Sequence, residues 1–266
     1  MSKSKRLRKA ATLDGAVQDN SGSSATGADK SSYIHQNDKL RFDIHVTQRH
    51  DLTENQQKLI DLILDKKTKM VFVSGPAGTS KTFLAVYAGL LLLQKRSMSD
   101  ILYIRSIAES ASKSLGSLPG EMDDKLSPFL MPLRDKLDEL LPRPDVDKLL
   151  KEKRVEALPI GYLRGASFNA RFIISDESQN LDRKELTTLV TRLGEFSKMI
   201  VLGDASQSDI NGKSGFMTFF DTFNDETSRQ NGIHCFSFTK DDIVRSGILR
   251  YIVERLETMP KPPSSH

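Results

Sequence analysis

Met70-Val71-Phe72-Val73-Ser74-Gly75-Pro76-Ala77-Gly78-Thr79-Ser80-Lys81-Thr82 is the stretch on which the fold of this chain turns. It opens with a short apolar run bounded by a turn signal, which predicts a strand buried on both faces. A glycine- and proline-containing turn follows, and Thr82 to Gln94 is apolar enough for a core helix. Strand, glycine-rich loop and helix in this order suit an anion, because small residues let successive backbone N–H groups wrap phosphate oxygens at a helix N-terminus. Gly75, Pro76, Ala77, Gly78, Thr79 and Ser80 would form that wrap. Lys81 is in register to reach the outer phosphates of ATP, and the Thr82 hydroxyl to ligate Mg²⁺. Ser80 stands where the general motif has Gly, so about 1 kcal/mol of loop strain is expected there. A chance glycine-rich turn is the alternative, and the flanking strand and helix with Lys-Thr in register argue against it.

Beyond this unit, helical segments alternate with short β-branched runs from Leu52 onward, which predicts an α/β domain with a mostly parallel sheet and helices on both faces. Further strands are expected at 101–105, 155–160, 171–175, 198–202 and 233–238. Helices are expected at 53–65, 183–193, 215–223 and 241–256, the first capped by Thr53 with Gln56 three residues on. Ser106 to Arg154 carries Pro119, Pro128, Pro132, Pro142 and Pro144, so it should be broken into short pieces lying over one end of the sheet. Residues 1–45 are rich in Ser, Gly, Asp and Lys and read as a disordered polar tail. Residues 46–258 then form one domain, and 259–266 a flexible end.

Hydrophobic residues at 38% and charged residues at 28% place the chain among globular proteins. The net charge of +4 is more than accounted for by Lys3, Lys5, Arg6, Arg8 and Lys9, so the body carries no overall positive field and any polyanion groove must be local. Those five cations could contact phosphate backbones or simply keep the chain soluble. Cys235 is the only cysteine, which excludes an internal disulfide and a four-cysteine zinc site. The basic start lacks a signal peptide's apolar stretch, and no run is long enough to span a bilayer, so a cytoplasmic protein with no membrane partner is expected.

A phosphate loop needs a carboxylate for the metal and a group to orient water. Phe172-Ile173-Ile174-Ser175 is an apolar strand closed by Asp176 and Glu177. Asp176 is placed for the metal shell and Glu177 for polarising water. The same pair could merely cap the next helix. A further strand, Met199 to Leu202, runs into Gly203-Asp204-Ala205-Ser206-Gln207, where Gln207 could sense the γ-phosphate or hold the lytic water, or simply belong to the strand's exit.

Taken together, the phosphate loop, Leu115-Gly116-Ser117-Leu118-Pro119-Gly120, Tyr162-Leu163-Arg164-Gly165, Ile174 to Asn180, Gly203 to Gln207 and Asp242-Ile243-Val244-Arg245 resemble the PhoH-like proteins, P-loop ATPases related to superfamily 1 helicases. The likeness covers about residues 52–257. It implies a P-loop NTPase fold with a RecA- or helicase-like core. It further implies that Gln56 reads adenine, that Gln179 links the acidic motif to the γ-phosphate, and that Arg245 is an arginine finger acting on a neighbouring subunit in a homohexameric ring. A salt bridge to Asp241 or Asp242 is the plainer role for Arg245. Arg105 and Arg192 have weaker claims as phosphate or interface contacts. Ser80, Ser178 and Arg105-Ser106 depart from the family pattern. Some such chains carry an N-terminal PIN-type nuclease domain, for which roughly 50 polar residues are too few.

The expected activity is hydrolysis of ATP with Mg²⁺. Coupling to single-stranded RNA or DNA, as a motor or remodeller, is the leading use. A nucleotide-dependent switch or ring-assembly protein with a protein partner is the second. A small-molecule kinase is the third, and the water-holding acids with Gln207 suit it least.

Overall fold

The computed structural model describes residues 40–106, 122–163, 167–204, 207–208, 210, 213–244, 248, 251–252 and 255, with backbone alone over 122–129. In chain order the elements are α1 (Glu54–Leu64), β1 (Met70–Ser74), α2 (Lys81–Gln94), β2 (Asp100–Arg105), α3 (Met122–Leu140), α4 (Arg143–Lys151), β3 (Val155–Pro159), β4 (Arg171–Asp176), α5 (Arg183–Val190), β5 (Lys198–Gly203), α6 (Phe216–Thr222), α7 (Glu226–Gln230) and β6 (Ile233–Ser237). The strands form one sheet in the order β3-β2-β4-β5-β1-β6, and every pairing is parallel.

Alternation along each strand sends side chains to two cores. Val71, Val73, Ile101, Tyr103, Phe172, Ile174, Ile200 and Leu202 face a cluster built with α1, α2, α3 and α4. Met70, Phe72, Leu102, Ile104, Ile173, Met199 and Val201 face a second cluster with α5 and α6. Burial on both faces is why β1, β2, β4 and β5 read as continuous apolar runs. At about 1.5–3 kcal/mol per large buried side chain, these two layers are the main force holding the sheet. Phe72, fully buried, also stacks on Phe223 with ring centroids 5.5 Å apart. The capping box expected at the start of α1 is present: Gln56 N–H donates to the Thr53 hydroxyl at 3.3 Å and Thr53 N–H to the Gln56 carboxamide oxygen at 3.0 Å.

Three expectations need correction. The proline-containing stretch is not broken into short pieces: α3 runs 19 residues through Pro128 and Pro132. Leu133, Leu137 and Leu140 line its buried face, so it forms part of a core layer rather than covering one end of the sheet. Burial of that stripe outweighs the roughly 3 kcal/mol that a proline costs a helix interior. The polar tail does not extend to residue 45, because Leu40 and Ile44 lie in the core, and Gln94 Nε2 donates to the Ile44 carbonyl at 2.9 Å. The expected helix at 241–256 does not begin at Asp241; a single tight turn at Lys240–Asp242 leads into extended backbone at Ile243. No helix among the described residues is long and apolar enough to cross a membrane.

All-parallel pairing puts every strand's C-terminal end on one edge. Ser74, Arg105, Asp176 and Gly203 therefore share that edge, with β5 separating β1 from β4. Two strand spacings, about 10 Å, lie between the start of the phosphate loop and the acidic pair. The first turn of α2 closes that gap.

Candidate functional site

The loop from Gly75 to Ser80 leaves β1 under tight steric limits. A Cβ on Gly75 would lie 2.7 Å from the Phe238 Cβ, so only glycine lets the chain pass. Gly78 (φ 89°) and Ser80 (φ 67°) are both left-handed, and Ser80 carries the steric cost that glycine avoids. The Thr79 hydroxyl donates to the Pro76 carbonyl at 3.0 Å, pinning the turn. The Lys81 ammonium donates to the carbonyls of Gly75 at 2.5 Å and Pro76 at 3.0 Å. Burial holds its pKa below the usual lysine value, against the opposing pull of Asp204, Asp176 and Glu177.

Thr82, one residue into α2, meets the end of β4. Its hydroxyl lies 3.0 and 3.1 Å from the two Asp176 carboxylate oxygens. Asp176 also accepts from the Tyr103 hydroxyl at 2.5 Å and from Glu177 N–H at 3.1 Å. Tyr103 is fully buried, and burial together with Asp176 pushes its hydroxyl pKa far up, so it is a fixed donor. Thr82 and Asp176 are hard oxygen donors side by side, which suits Mg²⁺, an ion that commonly takes one or two protein ligands and fills its shell with water and phosphate. A cluster of three or more acidic, histidine or cysteine ligands does not occur among the described residues, and such an ion does not require one.

Glu177 is left-handed (φ 52°) and lies beside Asp176 at the cleft. Gln179 Nε2 donates to Glu177 Oε2 at 2.6 Å, and Gln179 Oε1 accepts from Asp204 N–H at 3.0 Å. The buried Gln179 thus ties the acidic motif to the end of β5. Ser178, a departure from the family pattern, is buried with its hydroxyl 2.8 Å from that of Ser175. The Gln207 N–H donates to the Asp204 carbonyl at 3.2 Å.

Most of these groups line a single cleft of about 570 Å³, from which Gly75, Pro76 and Thr79 are set back. Ala77, Gly78, Ser80, Lys81, Thr82, Asp176, Glu177, Gln179 and Gln207 all face it, and so does Gln56, whose carboxamide oxygen is engaged in the α1 cap. Arg245 lies outside the described residues. Asp242, one of its expected salt-bridge partners, accepts from Asn55 Nδ2 at 2.7 Å and from Thr239 N–H at 2.7 Å. Just ahead of Arg245, Val244 N–H donates to the Gly78 carbonyl at 3.3 Å. Arg192 lies in the turn after α5 and does not line the cleft.

Several cleft residues escaped the sequence reading. Arg49 lies 5.0 Å over the Phe83 ring and pairs with Asp51 at 2.7 Å, forming a wall with Lys136 and Glu139 from α3. Tyr103 was hidden inside an apolar strand, where its one polar atom was the available signal.

A strand–loop–helix phosphate cradle whose lysine and threonine meet a strand-end carboxylate defines a P-loop nucleotide-binding protein. The PhoH-like protein family model matches residues 50–257, and the chain belongs to that family. A PhoH-like protein of Mycobacterium bovis is 36% identical over 214 residues, 80% of this chain and 59% of the relative. One from Bacillus subtilis is 34% identical over 189 residues, 71% of this chain and 58% of the relative. The chain thus spans under two thirds of the length of these relatives. Among solved structures, a large terminase from a thermophilic bacteriophage aligns with a TM-score of 0.47 at 12% identity, over 80% of this chain and 52% of that one.

Proposed function

We propose that this chain hydrolyses ATP with Mg²⁺ and couples turnover to single-stranded RNA or DNA as a homo-oligomer. The observation that carries the hydrolytic reading is the convergence of Lys81, Thr82, Asp176 and Glu177 on one cleft, with Thr82 3.0 Å from Asp176. Thr82 and Asp176 would hold Mg²⁺, which would supply positive charge to offset that of the phosphates. Backbone amides of the loop bind the phosphates, and Lys81 turns from the Gly75 and Pro76 carbonyls to the outer phosphate oxygens. Glu177, on the open side of Asp176, orients the attacking water, and Gln179 keeps that carboxylate in place. Gln207 reports the γ-phosphate to β5, and Gln56 contacts the base.

The nucleic-acid part rests on the helicase-type motifs and the basic N-terminal arm. The oligomer part rests on exposed apolar residues that follow β6, the first of them bonded to the phosphate loop at Gly78: Val244, Ile248, Tyr251 and Ile252 are 48, 63, 56 and 43% exposed. These residues flank Arg245 in the sequence and favour, as a second reading, a nucleotide-dependent ring-assembly protein in which Arg245 serves the neighbouring subunit.

Lys81→Ala and Glu177→Gln separate the roles. The first should lower ATP affinity about 100-fold or more, and the second should keep ATP bound while slowing turnover by a comparable factor. Equal loss of affinity in both would overturn the assignment. Turnover unchanged by RNA and DNA at low salt, together with a mass that rises on adding an ATP analogue, would favour the assembly reading.

A further inference from the structure

Arg105 closes β2, the strand next to β4, and does not line the cleft. Its Nη2 nonetheless stands 3.8 Å from Glu177 Oε1, while Gln179 Nε2 donates to the other oxygen, Oε2, at 2.6 Å. The carboxylate given the water-orienting role is therefore held from both flanking strands: by Arg105 from β2, and by Gln179, anchored to Asp204 N–H, from β5. The left-handed backbone of Glu177 restricts where its side chain can start, so these two partners set its direction. A carboxylate with both oxygens engaged has fewer lone pairs to offer water.

The two holds differ in kind. Gln179 is 3% exposed and its bond is short, so that hold is internal to the fold. The Arg105 and Glu177 side chains are 33% and 42% exposed, and their pair is long. An external anion can compete for Arg105, and a phosphate matches the planar guanidinium with two parallel bonds where this carboxylate offers one distant oxygen. The guanidinium also reaches Glu177 from outside the nucleotide cleft, so it can be taken without displacing nucleotide.

We propose that Arg105 is a positioning residue that restrains Glu177, and that a backbone phosphate of bound single-stranded nucleic acid takes its guanidinium and releases the carboxylate to the water. The trigger rests on the nucleic-acid coupling proposed above; the restraint itself does not. A half-exposed ion pair governs a modest factor, about threefold to fivefold.

The experiment measures steady-state ATPase of the full chain, wild type, Arg105→Gln and Arg105→Lys, with and without oligouridylate or oligothymidylate, alongside KM for ATP and Tm. Arg105→Gln should turn over about threefold to fivefold faster without a strand, lose most strand stimulation, and keep KM and Tm. Arg105→Lys, which retains the charge but not the fork, should fall between. An Arg105→Gln basal rate at or below wild type, with stimulation intact, overturns the proposal, and Arg105→Lys decides on the same criterion if Arg105→Gln lowers Tm. A wild type indifferent to both oligonucleotides, with a faster Arg105→Gln, upholds the restraint and overturns the strand as its trigger together with the nucleic-acid reading.

Discussion

Each edge of the sheet holds a lysine with little access to water, and the two are used differently. Lys198, at the start of β5, is 3% exposed and donates to the Ile63 carbonyl at 2.8 Å and to the Asp65 carbonyl. It meets the C-terminal end of α1, where unpaired helix carbonyls and the helix dipole both favour a cation. Beside it on that edge, Asp100 accepts from Arg154 at 3.2 Å and faces Arg171 at 3.6 Å. Lys81, at the opposite edge, donates to the carbonyls of its own loop and faces Asp176, Glu177 and Asp204 across a cleft. Charge at the first edge is settled within the fold, whereas at the second it is pointed into a shared volume.

Backbone strain follows the same division. Arg96, Lys153, Ala170 and Phe196 are left-handed, and each leads into a strand, β2 to β5 in turn. On the cleft edge the left-handed residues other than glycine, among the described residues, are Ser80 and Glu177, both at the site. One set shapes connections, and the other aims chemistry.

The largest expected effect is at Lys198. Lys198→Met should cost about 3 kcal/mol, roughly 8 °C in Tm, by leaving the α1 carbonyls unsatisfied, while nucleotide affinity of the folded protein stays unchanged. A shift in affinity would show that the edges are coupled. Next come the strained positions: Ser80→Gly and Arg96→Gly should each gain about 1 kcal/mol in chemical denaturation. Only Ser80→Gly should also tighten nucleotide binding, and equal tightening in both would erase the distinction drawn between the edges. The smallest effect is a pH dependence. Burial lowers the pKa of Lys81 on folding, so its charged form opposes folding below that value and the penalty fades as pH rises toward the unfolded value of 10.5. Lys81→Met should therefore be the more stable protein at pH 7 by thermal denaturation, with its advantage shrinking toward pH 10. A constant gap would mean that Lys81 is no worse solvated in the folded chain.

β1, β2, β4 and β5 were legible because each is an apolar run buried on both faces, and β3 and β6 because short apolar-rich runs there are bounded by turns. The phosphate loop and the Asp176-Glu177 pair were legible because their chemistry depends on local spacing. α3 was not, since Pro128 and Pro132 signal a break and the burial of Leu133, Leu137 and Leu140 against other elements overrules them. The segment from Leu40 to Val46 did carry a signal: Leu40, Phe42, Ile44 and Val46 alternate with polar residues, and three of the four are buried. Tyr103, Arg49 and the Arg105–Glu177 pair become visible only when β2, the segment before α1 and α3 are brought beside the cleft, contacts that no local pattern encodes.

β1, which feeds the phosphate loop, is flanked by β5 and β6, and the Gly78 carbonyl accepts from Val244, still further along the chain. A ribosome thus delivers the nucleotide cradle early and its last supports late. Nascent protein halted before β6 would carry the full phosphate-loop sequence with one flank of its strand open, so competence to grip nucleotide should arrive only once β6 and Val244 have been made.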